Sequence, residues 1–168
     1  MKKIVVTLML AAFAAAPAVA GVFYVGVKTG SAEHSVKTSG YSEGTFALGM
    51  FGGYAINRFV AVEGEYADLG SIVSDYSKVT TSSINVVLLL PIESQLSLFA
   101  KLGSATTQEE FQGLTSSLSA ATFGLGGQFH VNESFNLRVG MDRYDYGGDQ
   151  GFYKGTAKLY SVSGLFIF

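Results

Sequence analysis

The spacing of polar breaks constrains this chain more than any motif in it. Segments of partial apolar alternation are separated by connections that alternate strictly between short and long. The short ones fall at Ile56-Asn57-Arg58, Pro91–Gln95 and Val131–Ser134; the long ones, rich in Ser, Thr and Gly, at Gly30–Gly44, Gly70–Lys78, Thr106–Ser117 and Gly147–Thr156. Side chains two apart share a face of a strand, so alternation over such lengths reads as β-structure. It predicts strands near Val22–Thr29, Thr45–Ala55, Phe59–Leu69, Val79–Leu90, Leu96–Ala105, Leu118–His130, Phe135–Tyr146 and Ala157–Phe168. Short turns at one end and long loops at the other describe an up-and-down antiparallel meander with both termini at the short-turn end.

Met1–Ala20 stands apart. Lys2 and Lys3 precede an apolar core that ends at Ala18-Val19-Ala20, the pattern of a cleaved secretory leader. The remainder, 21–168, reads as one domain without cysteine, so burial and backbone hydrogen bonding must hold it without disulfides. Beyond the leader, nine Lys and Arg face thirteen Asp and Glu, which leaves no basic field for nucleic acid. The longest apolar run there, Ile84–Ile92, is strand-sized and too short for a spanning helix.

The distribution of charge decides which face is apolar. On Phe135–Tyr146, Phe135, Leu137, Val139 and Met141 share one face and Asn136, Arg138, Gly140 and Asp142 the other. Val60, Val62, Gly64 and Tyr66 likewise oppose Phe59, Ala61, Glu63, Glu65 and Ala67, and Leu98, Ala100 and Leu102 oppose Phe99, Lys101 and Gly103. Mid-strand charges diluted with Gly and Ala suit a narrow interior better than a solvated exterior. The expectation is therefore an all-β, closed up-and-down antiparallel transmembrane β-barrel of about eight strands, its apolar face in lipid. By parity Lys28, Glu63, Glu65, Lys101, Arg138 and Asp142 point inward, three charges of each sign. Glu63 and Arg138 are expected to pair across the lumen, with Lys101 and Glu65 close by.

Aromatic residues of the outward parity gather toward strand ends. Phe23, Tyr54, Phe129, Phe135 and Phe168 would ring the short-turn rim, and Phe46, Tyr66 and Tyr160 the opposite one, as girdles at headgroup level. The chain ends KLYSVSGLFIF, with Tyr160, Val162, Gly164, Phe166 and Phe168 on one parity. That alternation with a terminal aromatic resembles the C-terminal signal by which outer-membrane barrels are recognised by their assembly machinery.

LGMFGGYAINRFVAVEGEYADL at Leu48–Leu69 resembles the OmpA-type transmembrane barrel, and FYVGVKTG and PIESQLSLFAKLG continue the likeness in order across 21–168. Small opacity-type surface proteins share that architecture. The resemblance implies a lumen plugged by charged side chains. Glu63, Lys101 and Arg138 stand where the family has a Glu, an Arg and an Arg, whereas its further interior Lys and Glu pair falls on Val87 and Gln128.

Little here points to chemistry. His34 and His130 are the only histidines and fall at opposite ends of the meander, so they cannot share a metal or a catalytic triad. His34 lies in a long connection, where a solvated imidazole is the expectation. The GLGG at Gly124–Gly127 lies inside a strand and opens no helix, so it is not a phosphate loop. No enzyme activity, metal or cofactor is expected. The expected role is a structural or surface protein of the bacterial outer membrane, with periplasmic termini, extracellular loops, a plugged lumen and a part in envelope integrity or adhesion. Its alternative is a small low-conductance pore, and a lipid-modifying enzyme ranks below both. Expected partners are outer-membrane lipid and lipopolysaccharide, the barrel assembly machinery and host surface components. Lys37, Lys78, Arg143, Lys154 and Lys158 lie toward the long-loop rim, where lipopolysaccharide phosphates would meet them.

Overall fold

The computed structural model describes residues 21–36, 42–72, 77–111, 114–146 and 155–168. The expected leader, Met1–Ala20, lies outside the described residues, as do Lys37 and Lys154. The strands are β1 (Val22–Val36), β2 (Ser42–Asn57), β3 (Val60–Ile72), β4 (Ser77–Pro91), β5 (Leu96–Phe111), β6 (Leu114–His130), β7 (Phe135–Tyr146) and β8 (Gly155–Ile167). Each pairs antiparallel with the next, and β8 closes on β1 from Tyr24↔Ile167 to Val36↔Gly155. Closure leaves no strand edge, so the ladder satisfies the backbone without water.

Inward and outward faces follow the parity read from the sequence. Phe168, Phe166, Val162 and Tyr160 are exposed, while Leu159 and Leu165 are buried. Outward Val25, Val27, Met50, Ile84, Leu98 and Val139 leave an apolar belt that no part of the described protein covers. One expected outward residue turns in: Val60 is buried, beside a register shift between Ala55 and Asn57 that breaks the alternation. At this turn the Asn57 side-chain oxygen accepts from the backbone N–H of Phe59 at 2.7 Å and of Val60 at 3.0 Å, an Asx arrangement that sets the chain reversal.

The strands run further into the long connections than the sequence predicts. β1 continues to Val36 and β2 begins at Ser42, while β5 continues to Phe111 and β6 begins at Leu114, which absorbs most of two segments expected as loops. Their Ser and Thr content suits loops, yet Thr also favours a pleated surface and pairs across strands. Thr106 and Ser119 hydroxyls meet at 2.9 Å across β5–β6, and Thr107 donates to Thr81 at 3.4 Å across β4–β5. At that end the outward side chains are polar, Ser31, Glu33 and Ser35 on β1 and Gln108 and Glu110 on β5, so the sheet extends beyond its apolar belt. Near the same rim Gly70 adopts φ 81°, where a side chain would be strained, beside a register shift between Asp68 and Ser71.

Candidate functional site

The interior is built in layers. Toward the short-turn end, Tyr24, Phe51, Ala61, Val87, Phe99 and Leu165 form one buried apolar cluster. Toward the long-connection end, Leu69, Val79, Tyr144 and Leu159 pack with Ala32, Ala47, Ala67, Ala105 and Ala157 in a second. The charges lie among these clusters.

All six inward charges are buried, and the structure brings them together. Arg138 Nη1 donates to Glu63 Oε2 at 2.7 Å. Lys101 Nζ lies 3.0 Å from Glu63 Oε1, 3.1 Å from Glu65 Oε2 and 3.4 Å from Asp142 Oδ1. Its contact with Glu63 is a charge pairing without hydrogen-bond alignment, since that oxygen has no hydrogen-bond partner among the described residues. Lys28 Nζ pairs with Glu65 and lies 3.1 Å from Asp142 Oδ2. Each carboxylate thus meets at least one cation, the condition under which buried charges are tolerable. Rings complete the enclosure: the Arg138 guanidinium lies 4.9 Å from the Phe99 centroid and 5.3 Å from that of Phe51.

Several partners escaped the sequence reading. The Tyr24 hydroxyl donates to Glu63 Oε2 at 3.0 Å, and the Tyr144 hydroxyl donates to Glu65. Both tyrosines share the inward parity of Lys28 and Asp142, which is the signal that could have found them. Val87 is buried in the apolar cluster, and Gln128 Oε1 accepts from Arg138 Nε at 3.2 Å and Nη2 at 3.0 Å. A neutral amide therefore receives the guanidinium edge that Glu63 does not take. Glu109 is also buried.

His34 corrects an expectation. It is not a solvated loop residue but a buried member of β1, its Nε2 3.0 Å from the Leu69 carbonyl and 3.2 Å from Thr45 Oγ1. The extension of β1 carries it into the lumen. His130 is half-buried at the other end, with Nε2 3.0 Å from Ser97 Oγ and Nδ1 3.1 Å from Asn136 Oδ1. This Ser–His–Asn chain across β5, β6 and β7 is not visible in the spacing of the two histidines, because it depends on the register of three strands. The order matches a nucleophile, a base and an orienting group. Ser97 is buried, however, and does not line the adjoining cavity, whereas His130 and Asn136 do. The geometry fixes the imidazole and, through it, the Asn136 amide.

That cavity, about 460 Å³, occupies the short-turn mouth beneath Arg138. Among the described residues no group of three or more His, Cys, Asp or Glu side chains is placed to hold a metal ion.

The expected girdle residues all face outward. At the short-turn rim Phe23 and Tyr54 are paired across strands with ring centroids 4.7 Å apart, and Phe166 and Phe168 stack edge-on at 5.4 Å. Phe135 pairs with Phe166, and Phe129 with Leu96 and Leu137. On the other side Phe46 and Tyr160 flank Ser31 in the ladder, but Tyr66 falls mid-strand opposite Met50, because β3 is longer than predicted. Of the rim cations, Lys78 pairs with Asp68 at 2.9 Å and Arg143 lies 3.4 Å from Asp145, both exposed; Lys158 is exposed.

Comparison with known proteins places this architecture. A family model described as outer membrane protein beta-barrel domain matches residues 4–165. The crystal structure of Neisserial surface protein A is similar, with a TM-score of 0.66 at 20% identity, covering 87% of this chain and 97% of that one. The N-terminal barrel domain of Pseudomonas aeruginosa OprF gives 0.59 at 15% identity, over 86% and 97%. Ail, the attachment invasion locus protein of Yersinia pestis, gives 0.57 at 16% identity, over 88% and 99%. No curated protein matches the sequence.

Proposed function

Because the chain belongs to the outer-membrane protein β-barrel family, we propose that it is an integral surface protein of the bacterial outer membrane whose plugged lumen makes it an anchor and not a conduit. The observation that carries this reading is the neutral layer of six buried charges set among two apolar clusters inside the barrel. Eight strands enclose a space that side chains just fill, and here they meet across it. The short-turn end and both termini then face the periplasm, and the long connections face the exterior. Likeness to a Neisserial surface protein and to an attachment invasion locus protein supports a role in surface contact, with host surface components as partners of those connections. Lys78, Arg143 and Lys158 stand at the rim where lipopolysaccharide phosphates would lie. The outward stripe from Tyr160 to Phe168 serves the assembly machinery during insertion. None of this requires catalysis or a cofactor.

Planar-bilayer recording on the refolded protein tests the reading. At most small, intermittent current is expected. A steady ohmic conductance would replace the anchor with the pore.

A further inference from the structure

Three carboxamides line the cavity at the short-turn mouth: Asn57, Gln128 and Asn136. Each has its oxygen already engaged. Asn57 Oδ1 takes the N–H groups of Phe59 and Val60, Gln128 Oε1 takes two donors of Arg138, and Asn136 Oδ1 faces His130 Nδ1. The first two orientations are unambiguous, because backbone N–H and guanidinium groups can only donate. The third follows when Nδ1 carries the ring proton and the Ser97 hydroxyl donates to Nε2. What remains of each amide is its NH₂. The Asn57 Nδ2 is buried and has no hydrogen-bond partner among the described residues, a state that native structures seldom leave unused.

The cavity is therefore rich in donors and poor in acceptors. Arg138 forms part of its wall and Arg58 lies at its exposed edge, against one carboxylate, the exposed Glu93 in the turn after β4. Apart from Tyr24, Ser94 and His130, the remaining wall is apolar, including Val22, Ala55, Ala61, Leu89, Leu165 and Ile167. A concave, largely apolar space of about 460 Å³ with a few converging polar groups has the size and character of a small-molecule site.

We propose that this vestibule binds a small carboxylate with an apolar body, its oxygens on the carboxamide NH₂ groups and its body on the aliphatic wall. The two oxygens of one carboxylate offer about four acceptor sites and a negative charge, against two uncharged acceptor sites on the single oxygen of an amide and none on an ammonium group. The site lies below the charge layer and needs no passage through it. It also stands independently of which side of the membrane the mouth faces.

The test uses the full chain refolded into zwitterionic lipid nanodiscs, with protein-free nanodiscs as the partitioning control. Fluorine NMR would compare 4-fluorobenzoate with 4-fluorobenzamide and 4-fluorobenzylammonium. Saturable binding of the benzoate is expected, at least tenfold tighter than that of either analogue. Ala55→Phe, which fills the space and leaves every donor in place, should abolish it; Gln128→Leu should weaken it severalfold. Heat-modifiable gel migration reports whether each variant is folded. Equal binding of the three probes, no saturation beyond the nanodisc control, or benzoate binding unchanged in folded Ala55→Phe would each overturn the proposal. The ranking of probes on the unmodified protein decides the matter even if neither variant folds.

Discussion

A Cβ built on Gly30, on the inner face of β1, would stand 1.8 Å from the carbonyl oxygen of Tyr160, and one on inward Gly103 would stand 2.0 Å from that of Ile84. On the outer face a Cβ on Gly64 or Gly127 meets nothing within 4 Å. The same residue type thus does two different things in one sheet. Inside, glycine is required because neighbouring backbone already occupies the place of a side chain. Outside, it is merely permitted at Gly52 and Gly64, which line an open groove on the apolar surface. The inner face is specified contact by contact, by charges with several partners and by close backbone approach. The outer face is specified by hydropathy.

The sharpest way to break that contrast is to remove one inner charge. Arg138→Ala takes from Glu63 its shortest cationic contact, 2.7 Å, and leaves Gln128 Oε1 without two donors. Removing one partner of a buried pair costs about 3–5 kcal/mol. Lys101 remains 3.0 Å from Glu63, which places the expected loss at the lower end, about 3 kcal/mol. The double change Glu63→Ala with Arg138→Ala should recover part of that loss, giving a non-additive cycle. The chain has no Trp, so urea unfolding in lipid vesicles would be followed by far-ultraviolet circular dichroism. Additive losses would mean that the lumen is filled by volume alone.

A second test keeps charge out of it. Gly30→Ala adds one methyl where the Tyr160 carbonyl already sits. The strand pair β1–β8 that closes the barrel must then shift, and overpacking of this kind costs about 1–3 kcal/mol. A lower urea midpoint with an unchanged slope is the expected result.

The contrast also explains what the sequence could show. Parity alone placed Lys28, Glu63, Glu65, Lys101, Arg138 and Asp142 on the inner face, because a two-residue period survives any uncertainty in strand ends. The strand ends themselves were less legible. The polar continuations of β1 and β5 carry little apolar alternation, so the ladder that holds them is invisible until the partner strand is known. His34 lies in such a continuation, which is why its sequence position reads as a loop. Tyr24 on Glu63, Tyr144 on Glu65, and the Ser97–His130–Asn136 chain depend on register between strands far apart in sequence, which periodicity within one strand cannot encode.

On the outer face the expected effects shrink. Phe168 is 73% exposed, so Phe168→Ala removes mainly lipid contact and its edge-on packing with Phe166. About 1 kcal/mol of equilibrium stability is expected to go. If the terminal aromatic also serves assembly, membrane-integrated protein in cells should fall severalfold, far beyond what that loss explains. Phe23→Ala, another exposed rim aromatic, provides the control. Equal levels for both variants would make the terminal position an ordinary part of the belt.

The smallest effect carries the most information about the rule itself. Gly64 lies on β3 between Val62 and Tyr66, opposite Gly52 on β2 and Ile84 on β4. Its backbone is that of an ordinary strand, and an added methyl has open space around it. Glycine inside a strand is unfavourable because the unfolded chain is freer, by about 0.5–1 kcal/mol relative to alanine. Gly64→Ala should therefore leave stability unchanged or raise it by about 0.5 kcal/mol, seen as a higher urea midpoint. It is the mirror of Gly30→Ala: the same chemical change, in the same sheet, with the opposite sign. If Gly64→Ala lost as much as Gly30→Ala, the groove on the apolar surface would be performing a packing role that the free outer face does not reveal.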